Sequence, residues 1–172
     1  MGYGTKPMVD LNVNVSLTMK DVVEAFHGVY YSEVDVLAWF GVPVMKCPMD
    51  LWAYQEIVCR TQPDCIVETG SGFGGSALFM AMICQLLGRG RVVSVDVKPD
   101  ERRPVHPLIT YITGNSVDDD VVHRVRNQMI SVDDRVMVIL DSDHSAEHRG
   151  TPDGLRRLAP PATQQRRAGG RV

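Results

Sequence analysis

The chain has 172 residues, enough for one domain with a sizeable core. Its 44% hydrophobic and 23% charged residues are ordinary globular usage, and a net charge of −3 gives no overall basic field to recruit nucleic acid. Cys47, Cys59, Cys65 and Cys84 show no C-x-x-C spacing, which suits reduced, mostly buried thiols in a cytoplasmic protein and argues against a disulfide frame or a zinc site.

Residues 1–18 mix polar and apolar types without a period and read as a loose arm; no basic stretch followed by an apolar run suggests a signal peptide. Residues 20–40 suit one or two helices, with Val22, Val23, Phe26, Val29 and Tyr30 at helical spacing, then Val34, Leu37, Ala38 and Phe40. Thr18 or Asp21 is the expected cap. The aromatics Phe26, Tyr30, Tyr31, Trp39 and Phe40 are expected in the core of an N-terminal helical cover, residues 1–47, with the lining of a substrate entrance as the alternative. Gly41-Val42-Pro43 breaks that pattern, and Asp50 is the expected cap of a helix burying Leu51, Tyr54, Ile57 and Val58.

A strand is expected over residues 65–68. It runs into Glu68-Thr69-Gly70-Ser71-Gly72-Phe73-Gly74-Gly75-Ser76, four glycines in six positions. An apolar helix to Leu87 follows, too short to span a bilayer, which needs about 20 residues. Strand, glycine turn, helix is an arrangement in which a backbone turns sharply and helix N–H groups face an anionic ligand group. Further strands are expected over 91–97, 108–112 and 135–140, with an amphipathic helix over 118–129.

Alternating strands and helices give an α/β domain with a parallel sheet of about four strands, in which ligands bind at the carboxyl ends of the strands. Glu68, Asp96, Asn115, Ser116, Asp141, Asp143 and His144 all sit at such ends. Gly70-x-Gly72-x-x-Gly75, with Asp96 21 residues beyond Gly75, satisfies a dinucleotide fingerprint and keeps an NAD-dependent oxidoreductase open. Glu68, two residues before the first glycine, instead suits a cationic ligand. S-adenosylmethionine, with its ammonium and sulfonium, is favoured over a pyrophosphate that the carboxylate would repel.

Three segments together resemble a known family: Pro48-Met-Asp-Leu-Trp-Ala-Tyr-Gln-Glu56, Pro63-Asp-Cys-Ile-Val-Glu-Thr-Gly-Ser-Gly-Phe-Gly-Gly-Ser76 and Val138-Ile-Leu-Asp-Ser-Asp-His-Ser-Ala-Glu-His148. The resemblance is to the cephalosporin hydroxylase / rhamnosyl O-methyltransferase family, and covers about residues 34–148. It implies a Rossmann-like class I methyltransferase fold. It also implies S-adenosylmethionine, a divalent metal such as Mg²⁺, and O-methylation of a hydroxyl on a sugar, glycolipid or antibiotic-like acceptor. Carried onto this chain, Glu68, Gly70, Ser71 and Gly72 would hold the amino-acid end of the cofactor, and Asp96 the ribose hydroxyls. Asn115 and Ser116 would lie near the adenine. Asp141 would be a metal ligand beside the methyl group, with Asp143 and His144 adding a metal contact or a proton acceptor.

His144-Ser-Ala-Glu147-His148 also matches the H-x-x-E-H pattern of inverted zinc peptidases, but no Glu, Cys or His follows to supply a further ligand. Residues 149–172 carry six arginines and one acid, a charge of +5 that leaves −8 for the remainder. Pro160-Pro161 and Gly169-Gly170 oppose regular structure there. This stretch is expected to be a disordered basic tail after a partial cofactor domain (residues 48–148). It reads either as a natural tail or, preferably, as the product of a frameshift or truncation that removes the second half of the sheet and impairs activity. A non-catalytic binder of S-adenosylmethionine is therefore a further alternative. A small-molecule acceptor is the expected partner, with neither nucleic acid nor a membrane span, and a homo-oligomer stays open.

Overall fold

The structure, a computed structural model, describes residues 18–33 and 37–141. Its compact units divide between Asp35 and Val36.

In the first unit, α1 (Met19–Glu33) starts with a reciprocal cap. The Asp21 N–H donates to Thr18 Oγ1 (3.2 Å), and the Thr18 N–H donates to Asp21 Oδ2 (2.8 Å). Both expected caps are thus used together. The expected aromatic core is not seen at Phe26, which is 50% exposed and stacks on Tyr30 at 5.8 Å.

The second unit corrects the expectation of helix through residue 40. β1 (Leu37–Trp39) and β2 (Val42–Val44) form an antiparallel hairpin with Trp39 opposite Val42. Phe40 (φ 49°) and Gly41 (φ 81°) both take the left-handed conformation, as a two-residue hairpin turn of type I′ demands. The turn leaves Phe40 exposed and swings Trp39 onto Phe79, edge to face at 4.9 Å. Among the hairpin aromatics, Trp39 joins the core and Phe40 does not.

In α2 (Pro48–Thr61), Asp50 lies inside the first turn and does not cap the helix. Cys47 is the N-cap, with Pro48 starting the helix, where its missing N–H costs nothing. The main sheet is parallel throughout, in the order β5-β4-β3-β6. It comprises β3 (Cys65–Thr69), β4 (Val92–Asp96), β5 (Ile109–Thr113) and β6 (Val136–Leu140). α3 (Gly75–Leu87) connects β3 to β4. α4 (Asp119–Arg124) runs into a π-helical turn (Val125–Met129) before β6. The expected α/β architecture with four strands is present.

Period two divides the sheet's side chains between two cores. Ile66, Val92 and Ile139 face Val58 of α2 and Ala77, Met80 and Ile83 of α3. Val67, Val93, Val95 and Ile112 face Val121, Val122 and Val125. β3 and β4 are covered on both faces, which explains their almost unbroken apolar composition. β3 lies between β4 and β6, so the chain leaves it in one direction and returns on its other side. This is a topological switch point, where a crevice opens at the carboxyl ends of parallel strands. Among the described residues, no helix is long and apolar enough to cross a membrane.

Candidate functional site

The crevice is a cavity of about 360 Å³ at that switch point. The glycine loop lines one wall through Gly70, Ser71, Gly72 and Phe73; Asp96 and Asp141 come from the ends of β4 and β6. Pro43, Met45 and Lys46, from β2 and the segment after it, close another side.

The loop's glycines have distinct duties. Gly70 (φ 90°) and Gly72 (φ 49°) turn the chain after β3, and a Cβ on Gly72 would meet nothing within 4 Å. Backbone is therefore bare towards the cavity at this point. Gly75 faces the protein instead: a Cβ there would stand 2.3 Å from the Pro43 carbonyl oxygen. Gly74 is the N-cap of α3 and brings no side-chain acceptor to the first-turn N–H groups.

Asp96 is held from three directions. Its carboxylate accepts hydrogen bonds from the N–H groups of Gly72 (2.9 Å) and Lys98 (3.0 Å). Arg103 Nη2 stands 3.4 Å away. The Arg103 side chain is itself nearly buried; its guanidinium donates to the carbonyl oxygens of Gly72 (3.0 Å) and Lys98 (2.6 Å). The β4–β5 connection is thereby tied to the glycine loop through the acid that both surround.

Glu68 lies beneath the loop. Being in register with Ser94 and on the Ile66 side of β3, it points at α3 and is fully buried. Its two carboxylate oxygens accept from the hydroxyls of Ser76 and Ser94, the latter at 2.8 Å. Lys46 Nζ lies 3.9 Å from it. Burial pushes the Glu68 carboxyl up from its ordinary value, against the pull of Ser76, Lys46 and Ser94. Lys46, its side chain 6% exposed, also makes a direct ion pair with Asp141. Burial acts to lower the pKa of the ammonium, but the two carboxylates outweigh it and raise the value.

Five of the residues singled out from sequence line this one cavity: Gly70, Ser71, Gly72, Asp96 and Asp141. Glu68 underlies it. Asn115 and Ser116 follow β5 at the same end of the sheet but do not line the cavity. Asn115 Oδ1 accepts from the Val117 N–H (3.3 Å), and the buried Ser116 hydroxyl has no partner among the described residues. Asp143 and His144 lie outside the described residues. Sequence reasoning missed Lys46 and Arg103. Lys46 had a faint signal, a lone cation within the apolar stretch 42–48, whereas Arg103 had none within its loop.

A family model described as Rhamnosyl O-methyltransferase/CmcI matches residues 31–160. The chain belongs to this family. Among curated relatives, it is 33% identical over 129 residues to the rhamnosyl O-methyltransferase of Mycobacterium leprae, covering 72% of this chain and 56% of that protein. It is 30% identical over 135 residues to the rhamnosyl O-methyltransferase of Mycobacterium tuberculosis, covering 74% and 54%. The chain thus spans about half the length of the curated relatives it matches. Among solved structures, a Mg-SAM form of CmcI superposes with a TM-score of 0.53 at 21% identity, covering 82% of this chain and 60% of that one. An apo form of CmcI gives 0.53 at 21% identity, covering 83% and 61%. The likeness is one of fold, the class I methyltransferase architecture, as the sequence resemblance implied.

The two groups implied for this family fit the described residues differently. S-adenosylmethionine suits them: bare backbone at Gly72, the start of α3 at Gly75 and Ser76 and a fixed strand-end carboxylate at Asp96 line one cavity. A divalent metal does not suit them as they stand. Asp141 is already ion-paired with Lys46, and no cluster of three His, Cys, Asp or Glu able to hold a metal occurs among the described residues.

Proposed function

We propose that this chain binds S-adenosylmethionine in the cavity at the β3–β6 switch point and carries the methyl-donor half of an O-methyltransferase. The observation that supports this most is the held Asp96. A carboxylate fixed by two backbone N–H groups at the end of β4 is preorganised to accept hydrogen bonds from the paired ribose hydroxyls. The loop Gly70–Gly72 and the start of α3 suit the cofactor's carboxylate, and Glu68 beneath them lends negative potential towards its ammonium. Asn115 and Ser116, following β5, are assigned to the adenine end. Asp141 is partly exposed at the cavity and would lie beside the methyl group of the bound cofactor. It would orient the acceptor hydroxyl, with Asp143 and His144 as further candidates for that role.

The reaction is an in-line displacement. The acceptor oxygen forms a bond to the methyl carbon as the carbon–sulfur bond breaks, the pair of electrons stays on sulfur, and the hydroxyl proton is released. Positioning the two reactants in line can supply a large part of the acceleration in such a transfer. The acceptor class proposed is a hydroxyl on a sugar, glycolipid or antibiotic-like molecule. The sugar is favoured by the names of the two mycobacterial relatives.

Titration calorimetry tests the reading. S-adenosylmethionine is expected to bind in preference to NAD, and Asp96→Ala is expected to weaken it at least tenfold while the circular dichroism spectrum is kept. Preference for NAD would transfer the site to hydride chemistry; unchanged affinity in Asp96→Ala would remove Asp96 from it.

A further inference from the structure

Lys46 is the one basic side chain lining the cavity among the described residues, and it reaches two acids at once. Its ammonium lies 3.9 Å from the fully buried Glu68 and in direct contact with Asp141. The lysine is carried by the segment between β2 and α2, whose Cys47 and Pro48 start α2. Gly75 fixes the hairpin from the other side, since its missing Cβ lets the Pro43 carbonyl approach. Lys46 is therefore held in place by its backbone as well as by charge.

We propose that Lys46 is the built-in cation of Asp141, so that a divalent metal reaches that carboxylate only when the ammonium leaves. The proposal rests on the reading of Asp141 as the cavity's functional acid. Two positive charges cannot share one carboxylate oxygen at contact distance without repelling, the more so because the Lys46 side chain is withdrawn from solvent. Departure of Lys46 also strips Glu68 of its counter-charge, and a buried carboxylate left with the Ser76 and Ser94 hydroxyls alone is costly. Glu68 thereby anchors Lys46 against the metal. The ammonium donates hydrogen bonds but has no vacant coordination position, so Asp141 holding Lys46 acts as a fixed acceptor rather than as a metal ligand.

Manganese titration followed by the electron paramagnetic resonance signal of the free ion tests this on the full chain. The wild type is expected to bind Mn²⁺ weakly. Lys46→Met is expected to bind at least tenfold more tightly, and adding Asp141→Asn to it is expected to abolish the gain. Lys46→Met leaves Glu68 buried without a counter-charge, so the double variant Lys46→Met/Glu68→Gln serves where the single one does not fold. Lys46→Arg keeps the charge and is expected to keep the exclusion. In the wild type, reductive methylation of Lys46 is expected to stay below that of the exposed Lys20 and Lys98 and to rise as Mg²⁺ is bound. Unchanged or weaker Mn²⁺ binding when Lys46 is removed would overturn the proposal. So would Mg²⁺ binding by the wild type that leaves Lys46 equally protected. Cofactor affinity is measured separately, so loss of the S-adenosylmethionine reading and loss of the Lys46 reading give different results.

Discussion

Single charged residues do unlike work in this chain according to whether they face the site or tie the far end of the sheet. Asp64, just before β3, belongs to the second kind. Its carboxylate takes an ion pair from Arg89, the Arg135 N–H at 2.9 Å and Arg135 Nε at 3.4 Å. These partners join the loop after α3 and the start of β6 to the start of β3. The Arg135 backbone N–H, with the Arg89 guanidinium, lowers the Asp64 pKa from 3.8 to about 2. A folded-state value below the unfolded one means that the unfolded chain binds more protons in that window. The stabilisation is present above the unfolded pKa and is lost as pH falls through the folded one. Asp64→Asn is thus expected to lower stability at neutral pH by on the order of 1 kcal/mol, since solvent screens a partly exposed pair. Thermal melts should show the gap to wild type closing as pH drops from about 4 to about 2. A gap that persists at the acid end would assign the effect to hydrogen-bond geometry rather than charge.

The elements show where local pattern suffices and where it does not. β3, the glycine loop, α3, β4 and β6 were legible because each carries an unambiguous signature: β-branched runs between breakers, and four glycines where a strand turns into a helix. The β1–β2 hairpin was not. Leu37, Ala38 and Phe40 fit a helical stripe as well as a short strand, and the turn that decides between them places a phenylalanine, a residue without turn preference, at φ 49°. Lys46 and Arg103 escaped because their roles come from residues distant in sequence: Glu68 and Asp141 for the first, Gly72 and Asp96 for the second. The loop makes the division testable. Gly75→Ala drives a methyl group into the Pro43 carbonyl and the Val44 side chain, so it is expected to cost about 1–3 kcal/mol in urea unfolding. Gly72→Ala meets open space and carries only the backbone cost of a positive φ, about 1 kcal/mol, while reducing cofactor affinity. A larger stability loss at Gly72 than at Gly75 would reverse these assignments.

At the scale of the whole molecule, the sheet is asymmetric about its functional centre. β3 and β4 are paired on both sides and buried but for the half-buried Asp96 at the end of β4, and they carry Glu68 and Asp96. β5 and β6 are outermost among the described strands, and their side chains are mostly half-buried or exposed, Leu140 being 49% exposed. β6 nevertheless delivers Asp141 to the cavity, so one wall of the site rests on an outer strand. Opening free energies follow pairing and burial, and an outer strand has N–H groups that its single neighbour cannot hold. Hydrogen–deuterium exchange is therefore expected to rank the strands. Amides of β3 and β4 should exchange slowest, near the global unfolding limit, and outward-facing amides of β5 and β6 markedly faster. Saturating S-adenosylmethionine should then slow residues 70–76 and the amides of Gly72 and Lys98 around Asp96 most strongly. β6 should gain less, because its only described link to the cavity is Asp141, the residue that follows it. Equal protection of β3 and β6 in the free chain would mean that β6 is covered in solution as fully as the centre. Asp141 would then be as rigidly held as Asp96, and the outer wall would no longer be the soft side of the site.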